Sequence, residues 1–475
     1  MASFERRTKI VATVGPATWD PAVLVDLIAA GADVLRLNFS HSDAGRHAAT
    51  IRDIRSAAAE VGREVAILGD LPGPKLRVGE LRDGLVQLRS GDRTTLTSDD
   101  EPGDAERIPV SWPELEEGLA PDDHVYMADG SIRLRVVEPG RTGVECEVEV
   151  GGPLSSHKGV NLPGADAGIA AVAESDLEWV SFAVEQGVDL LAVSFVRTAA
   201  DLEPVAGRLG ELGSDIPVIA KIEKPQAADN AGEIVAAATG GIMVARGDLG
   251  IELPLSRVPI VQKRLIREAG RLSKPVITAT QMLASMVDSP RPTRAEVTDV
   301  ANAIYDGTDA VMLSEETAVG KNPVEAVRVM DRIARVTEED LPYWDWLFQR
   351  TNQANQDVAD SVAQGAVGSV YRLGLAALVV PTTSGRTARL VSAHRPKVPV
   401  LAMSARPETV RRLNLLFGVK AVYSEMRDDI RDLLDDCARL AKEHSVAESG
   451  DLIGVTAGLP RQELGTNLFE VHRVP

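Results

Sequence analysis

Short apolar runs recur along the chain, and segments with apolar positions at helical spacing separate them. Lys9-Ile10-Val11-Ala12-Thr13-Val14 predicts a buried strand that ends at Gly15-Pro16. Residues 21–30 then show helical spacing and stop at Gly31. Val34-Leu35-Arg36-Leu37-Asn38 predicts a second strand, residues 44–61 a helix closed by Gly62, and Val65-Ala66-Ile67-Leu68 a third strand. Strands alternating with helices predict parallel βα units.

The rhythm breaks over residues 72–159. Short alternating segments such as Leu85-Val86-Gln87-Leu88, Thr94-Thr95-Leu96, Val125-Tyr126-Met127 and Val144-Glu145-Cys146-Glu147-Val148 lie between turn signals at Asp83-Gly84, Gly91-Asp92 and Asp129-Gly130. This predicts an inserted all-β domain, a small β-barrel lid. The βα rhythm then resumes with a helix near residues 174–186. Five more strands follow: Leu190 to Ser194, Val218 to Lys221, Gly241 to Ala245, Pro275 to Ala279, and Ala310 to Leu313. Eight parallel strands predict a (β/α)8 TIM barrel, and removing the insertion leaves about 250 residues, the usual size of that fold. An open doubly wound sheet is the alternative. After a Glu-rich stretch near residues 337–340, strands at Ala376–Val380, Val400–Met403, Lys420–Tyr423 and Leu452–Val455 predict a C-terminal α/β domain. It has an edge strand near Val471 and a helix over 427–442. The expected organisation is a barrel over 1–71 and 160–340, a lid over 72–159, and a C-terminal domain over 341–475.

The composition is that of a soluble globular protein, 44% apolar and 25% charged over 475 residues. A formal net charge of -19 argues against nucleic-acid binding and against affinity for anionic membranes. It leaves room for a local basic pocket. Two widely separated cysteines, Cys146 and Cys437, suit a reducing cytoplasm. The polar amino terminus lacks the apolar core of a signal peptide, and no run of about 18 apolar residues predicts a membrane span.

Barrel active sites lie at the carboxyl ends of the strands, and the predicted strand ends are rich in charge. They carry Arg36, Asn38, Ser40 and His41; Asp70; Lys221 and Glu223; Arg246-Gly247-Asp248; Thr280-Gln281; and Ser314-Glu315-Glu316-Thr317. Lys221 and Glu223 are two apart in an extended segment, so they share a face. Alone they read more readily as a surface ion pair, and Thr280 or Ser314 alone as a helix cap. Together, Glu223 and Asp248 suit magnesium, an ion of oxygen ligands that keeps waters and substrate oxygens in its shell. Arg36 and Lys221 suit a phosphate or a developing oxyanion. Gly247 lets backbone amides approach a carboxylate. The set predicts magnesium-assisted chemistry on a small phosphorylated carboxylic acid.

These residues resemble the pyruvate kinase family. Thr8 to Ala17 is similar to its amino-terminal signature, Arg36-Leu37-Asn38-Phe39-Ser40-His41 to its second strand, and Lys221-Ile222-Glu223-Lys224 to its active-site signature. Arg246-Gly247-Asp248-Leu249-Gly250, Ala279-Thr280-Gln281-Met282-Leu283 and Pro292 to Ala303 resemble further motifs, in order along essentially the whole chain. The resemblance implies phosphoryl transfer from phosphoenolpyruvate to ADP in glycolysis, in a cytoplasmic homotetramer. It gives Lys221 the moving phosphoryl group, Arg36 the substrate phosphate, Glu223 and Asp248 the magnesium, and the amides near Gly247 and Asp248 the substrate carboxylate. Thr280 would relay a proton through water. Asn38, His41, Arg77 and Lys158 would contact the nucleotide, the last two at the junctions of the lid.

Two departures matter. Many family members need potassium, and Asn38, Ser40 and Asp70 match its ligands, but Leu71 replaces an expected threonine and Lys75 a frequent glutamate. The expectation is that the Lys75 ammonium takes the potassium position, leaving potassium unnecessary; a solvated lid lysine is the alternative. Glu315 also stands where a glycine is common. In the C-terminal domain, Thr382-Thr383-Ser384-Gly385-Arg386-Thr387 follows a strand and precedes a helix, and it resembles the effector loop of regulated members. It implies a phosphorylated activator, with a plain helix cap as the alternative. The tail from Gly458 to Asn467 resembles the second effector loop only in part, because it carries Arg461-Gln462-Glu463. Another magnesium-dependent barrel enzyme such as an aldolase, or a non-catalytic metabolite sensor on the same fold, are the competing readings.

Overall fold

The computed structural model describes residues 6–475 except 75, 113, 129, 164–169, 352–356, 428 and 459–464, and the backbone alone at 349–351. Asp129, Lys75 and Arg461-Gln462-Glu463 therefore lie outside the described residues.

Eight parallel strands close a barrel: β1 (Lys9–Thr13), β2 (Val34–Asn38), β3 (Ala66–Asp70), β4 (Leu190–Val193), β5 (Val218–Ile222), β6 (Gly241–Ala245), β7 (Val276–Ala279) and β8 (Ala310–Leu313). Each strand pairs with its neighbours in sequence, and β8 closes onto β1. The open sheet is thereby excluded. Alternate residues divide between two cores, as the pleat requires. Val11, Val34, Leu68, Ile219, Met243 and Ile277 fill the barrel, whereas Ile10, Leu35, Ala220 and Val244 face the surrounding helices. The same parity aims Arg36 and Lys221 into the barrel mouth.

At the opposite end, three aspartates immediately precede strands and pin the strand next door. Asp33 accepts the Ile10 amide at 2.9 Å, Asp189 the Ile67 amide at 2.8 Å and Asp309 the Val276 amide at 3.0 Å. Each is also paired with arginine: Asp33 with Arg6, Asp189 with Arg55 and Arg411, and Asp309 with Arg395. Arg395 and Arg411 belong to the C-terminal domain, so the barrel floor doubles as its docking face. Leu415 from that domain joins the residues filling the barrel. The Glu-rich stretch falls in the last turn of the helix Pro323–Glu339. Glu338 there is buried and accepts the amides of Arg7 and Thr8.

The inserted strands form a six-stranded sheet running from Val160–Asn161 to Arg107–Pro109 and a two-stranded pair, Leu85–Leu88 with Gly152–Ser155, around a core that includes Trp112. One short helix, Leu115–Gly118, departs from the all-β expectation. The C-terminal domain holds β9 (Ala377–Pro381), β10 (Val400–Ser404), β11 (Val419–Tyr423), β12 (Leu452–Ala457) and β13 (Leu468–Arg473), in the order β11-β10-β9-β12-β13. All pairs are parallel except β12 with the edge strand β13. Helices cover both faces. The helix predicted over 427–442 runs Ile430–Glu443, because the Asp429 side chain caps it by accepting the Arg431 amide at 2.8 Å.

Candidate active site

The carboxyl rim is built around a buried carboxylate. Asp70, at the end of β3, is 1% exposed. Its Oδ2 accepts from Arg36 Nε at 2.7 Å and its Oδ1 lies 3.3 Å from Lys221 Nζ. Arg36 also donates to the Thr13 hydroxyl at 3.1 Å, and that hydroxyl donates to the Leu313 carbonyl at 2.9 Å. Burial alone would raise the Asp70 carboxyl, but the Lys221 and Arg36 charges outweigh it and hold the group below the usual carboxylate range.

Lys221 completes the cluster. Its ammonium donates to Ser194 Oγ at 2.8 Å and lies 2.8 Å from Glu223 Oε1. Burial opposes its charge, yet Asp70 and Glu223 outweigh burial and raise its pKa above that of free lysine. The other oxygen of Glu223 accepts the Phe195 amide at 2.8 Å. Glu223 is nevertheless pushed up, first by burial and then by the charge of Asp248, against the opposing pull of Lys221. Two carboxylates that repel in a dry site are the donor set a divalent cation relieves. Among the described residues no group of three or more His, Cys, Asp or Glu could hold a metal. An ion here must take further ligands from water or substrate, as magnesium does. The residues present fit that ion.

Beyond β6, the Gly247 amide donates to Thr280 Oγ1 at 2.7 Å, and that hydroxyl donates to the Ala279 carbonyl at 2.6 Å. Thr280 therefore accepts a first-turn amide of the helix Arg246–Glu252 and caps no helix of its own. Its backbone is left-handed, φ 67°, a conformation rare for a β-branched residue. Arg246 holds this turn from behind, donating to the Thr280 carbonyl at 2.9 Å and to Asp299 Oδ1 at 2.7 Å. Ser314 does not cap by its side chain either. The buried Glu316 carboxylate takes that role, accepting the amides of Ser314 at 2.7 Å and Leu283 at 3.0 Å.

The other predicted residues sort into separate places. Asn38 and Asp70 are register partners on β2 and β3, and Asn38 Oδ1 accepts the Ser40 amide at 3.2 Å. Both Asp70 oxygens already face cations. His41 follows β2, and its carbonyl meets His47 Nε2 at 2.7 Å. Arg77 and Lys158 come together at the lid junction, where Arg77 bridges Gly159 across an antiparallel contact and donates to the His157 carbonyl at 3.0 Å. The loop 382–387 is split. Thr382 Oγ1 accepts the Gly385 amide and Thr387 Oγ1 meets Thr466 Oγ1 at 2.6 Å, both buried. Thr383 and Ser384 are exposed, and Arg386 pairs with Asp357 at 2.6 Å.

Sequence reasoning missed Ser194 and the Phe195 amide. Ser194 donates to the Leu71 carbonyl at 2.8 Å while accepting from Lys221, and so fixes the ammonium's direction. Its position just beyond β4, level with Lys221 on the next strand and two residues past the partner of Asp70, was the available signal. The buried pairing of Lys224 with Glu252 was equally unread.

A closed parallel barrel whose carboxyl rim gathers an ammonium, a guanidinium and two mutually repelling carboxylates defines a barrel enzyme for an anionic substrate. Comparisons with known proteins sharpen the class. The family model "Pyruvate kinase, barrel domain" matches residues 5–327, and "Pyruvate kinase, alpha/beta domain" matches residues 360–472. The chain is similar to pyruvate kinase of Geobacillus stearothermophilus, 42% identical over 99% of this chain and 80% of that protein. It is similar to pyruvate kinase of Thermococcus litoralis, 42% identical over 99% of each. It is also similar to pyruvate kinase 2 of Synechocystis sp., 46% identical over 99% of this chain and 79% of that protein. A crystal structure of a pyruvate kinase from Cryptosporidium parvum superposes with a TM-score of 0.94 at 36% identity, covering 99% of this chain and 96% of that one. The chain belongs to the pyruvate kinase family and is an enzyme of the transferase class.

Proposed function

We propose that the chain transfers the phosphoryl group of phosphoenolpyruvate to ADP, giving pyruvate and ATP, with magnesium held by Glu223 and Asp248. The observation that carries this is the Lys221 ammonium, fixed between Asp70, Glu223 and Ser194 at the barrel mouth. Phosphoryl transfer asks the protein for position and positive charge more than for covalent chemistry. Arg36, aimed by Asp70 and Thr13, grips the substrate phosphate. Lys221 meets the charge on the phosphoryl group as it leaves one oxygen for another. Bound between the two carboxylates, magnesium would supply further positive charge to substrate oxygens. The amides near Gly247 and Asp248 take the substrate carboxylate, the Gly247 amide exchanging its bond to Thr280 Oγ1 for it, and Thr280 passes a proton through water to the enolate carbon. Its hydroxyl is no strong acid, so the relay carries the proton.

Asn38, His41, Arg77 and Lys158 contact the nucleotide when the lid, residues 72–159, closes on the barrel of 1–71 and 160–340. Closure excludes water that would otherwise hydrolyse the donor. The Lys75 ammonium takes the role of potassium, the ion whose ligands Asn38, Ser40 and Asp70 match in potassium-dependent members. The C-terminal domain, 341–475, takes a phosphorylated effector through Thr382 to Thr387, in a cytoplasmic homotetramer. A net charge of -19 makes nucleic acid and anionic membranes poor partners. Among the described residues no helix is long and apolar enough to cross a membrane. Pyruvate formation from phosphoenolpyruvate that requires both ADP and magnesium tests the reading. An aldolase would not need ADP, and a sensor would not turn over.

A further inference from the structure

Two connecting stretches carry the inserted domain. On the way out, Leu71 still belongs to the barrel core and Leu76 already packs on the core of the inserted domain. On the way back, Leu162 belongs to the inserted core and Val172 packs on the barrel core. The inserted domain's end of this neck is zipped. The Val78 amide donates to the Lys158 carbonyl at 2.8 Å, and the Val160 amide donates to the Leu76 carbonyl at 2.9 Å.

The barrel's end of the neck is held by one side chain. Asp176, in the first turn of the helix Glu174–Glu185, is 1% exposed. Its Oδ1 accepts the Gly73 amide at 3.0 Å, and its Oδ2 accepts the Ala173 amide at 2.8 Å. One carboxylate therefore grips the outgoing and the returning stretch together. Pro72 and Pro74 carry no amide, so Gly73 offers the only backbone donor of that run. Gly73 is also fitted to its place: its φ is 64°, and a Cβ there would meet the Phe195 ring at 2.7 Å. A first-turn acid often serves only its own helix. Here the helix alone is a weak reason for a buried charge. Its N-cap, Ala173, has no side-chain oxygen to complete a reciprocal cap. Among the described residues no cation pairs with Asp176, and burial holds its carboxyl above the ordinary range against the pull of the two amides.

We propose that Asp176 is the positioning residue of this neck: its carboxylate ties both connecting stretches to the barrel and fixes the line about which residues 72–159 swing. The inference rests on the reading that this domain closes over the nucleotide. A body tied at two points rotates about one line, whereas a body tied at one point wanders. Arg77 and Lys158, the proposed nucleotide contacts, lie at the zipped end and travel together. Where they meet the rim, beside Asn38 and His41, depends on where that line lies, and misplacement of about 1 Å is enough to weaken such an alignment. The pivot also bears on the rim itself, because Phe195, against which Gly73 sits, donates its amide to Glu223.

The test uses the full chain. Amide hydrogen exchange is read by mass spectrometry on peptides spanning Gly73 and Ala173, and KM is measured for ADP and for phosphoenolpyruvate. Three variants stand beside the parent. Asp176→Asn keeps one accepting oxygen, and Asp176→Ala keeps none. Asp176→Ala combined with Ala173→Ser gives the helix a side-chain cap and leaves Gly73 untied. In Asp176→Ala the Gly73 peptide exchanges about tenfold faster or more, and the KM for ADP rises about tenfold while that for phosphoenolpyruvate stays within about threefold. Asp176→Asn falls between Asp176→Ala and the parent. Ala173→Ser raises the Tm of Asp176→Ala and restores neither the Gly73 exchange nor the KM for ADP. Unchanged exchange at Gly73, or recovery of the KM for ADP with the added cap, overturns the tether. An equal rise in both KM values places the damage in the rim and overturns it as well. Faster exchange at Gly73 with both KM values unmoved upholds the tether and overturns the reading that the domain closes over the nucleotide.

Discussion

The Nζ of Lys221 lies 2.8 Å from Oε1 of Glu223, two residues further along the chain at the mouth of the barrel. The proposed reaction needs that closeness, because the ammonium and the carboxylate's metal must meet the same phosphate. The ammonium is not held by Glu223 alone. Asp70 faces both Lys221 and Arg36, so one buried carboxylate sets the spacing of the two cations proposed to handle the phosphate.

Asp70→Asn therefore tests the frame without touching the proposed phosphate donors. Loss of a buried charge between two cations is expected to cost about 3 kcal/mol of stability. Misplacement of Arg36 and Lys221 is expected to lower kcat on the order of 10²-fold. A thermal melt and a turnover assay read the two effects; unchanged kcat would mean that Asp70 does not position the pair.

Potassium is expected to be dispensable. At constant ionic strength, replacing sodium by potassium changes turnover less than about twofold if, as proposed, the Lys75 ammonium supplies the monovalent charge. Lys75→Glu makes turnover dependent on added potassium. Strong potassium activation of the unaltered protein would remove Lys75 from this role.

The barrel strands were legible because their residues are buried on both faces, which leaves continuous apolar runs such as Ile10–Ala12 and Val218–Ala220. Arg36, Lys221 and Glu223 stood out because charge at the end of such a run has no structural need. Ser194 did not stand out: a serine after a strand reads as a turn, and its value comes from the neighbouring strand that brings Lys221 to it. The docking face under the barrel was likewise hidden. Asp189, Asp309, Arg395 and Arg411 are far apart in sequence and look like solvated surface residues until two domains are packed together.

The packing of those domains gives a third prediction. Arg395 lies 2.6 Å from Asp309, both buried, while Asp309 also holds the start of β7. Arg395→Met leaves that carboxylate without its cation and is expected to cost about 3–5 kcal/mol. The melt should shift down and separate into two steps as the C-terminal domain releases first. A single melt at the parent's temperature would show that the pair does not join the domains.

Lys274 supplies a pH signature. Its pKa is lowered from 10.5 to about 8 in the folded chain, chiefly by burial. Between those values the unfolded chain binds the extra proton, so this residue's contribution to stability rises with pH from about 8 and levels off near 10.5. Tm measured across that window for the parent and for Lys274→Met should differ in slope, with the parent steeper. Parallel slopes would mean that the ammonium is not held in a costly place.

The central claim is that Lys221 carries the chemistry of a magnesium- and ADP-dependent phosphoryl transfer. Its most direct test is pyruvate release from phosphoenolpyruvate by the parent and by Lys221→Met, with circular dichroism confirming that both are folded. The expected result is rapid turnover by the parent only when both ADP and magnesium are present, and a loss of at least about 10³-fold in the folded variant. A folded Lys221→Met that turns over at the parent's rate, or a parent that forms pyruvate equally well without ADP, would contradict it.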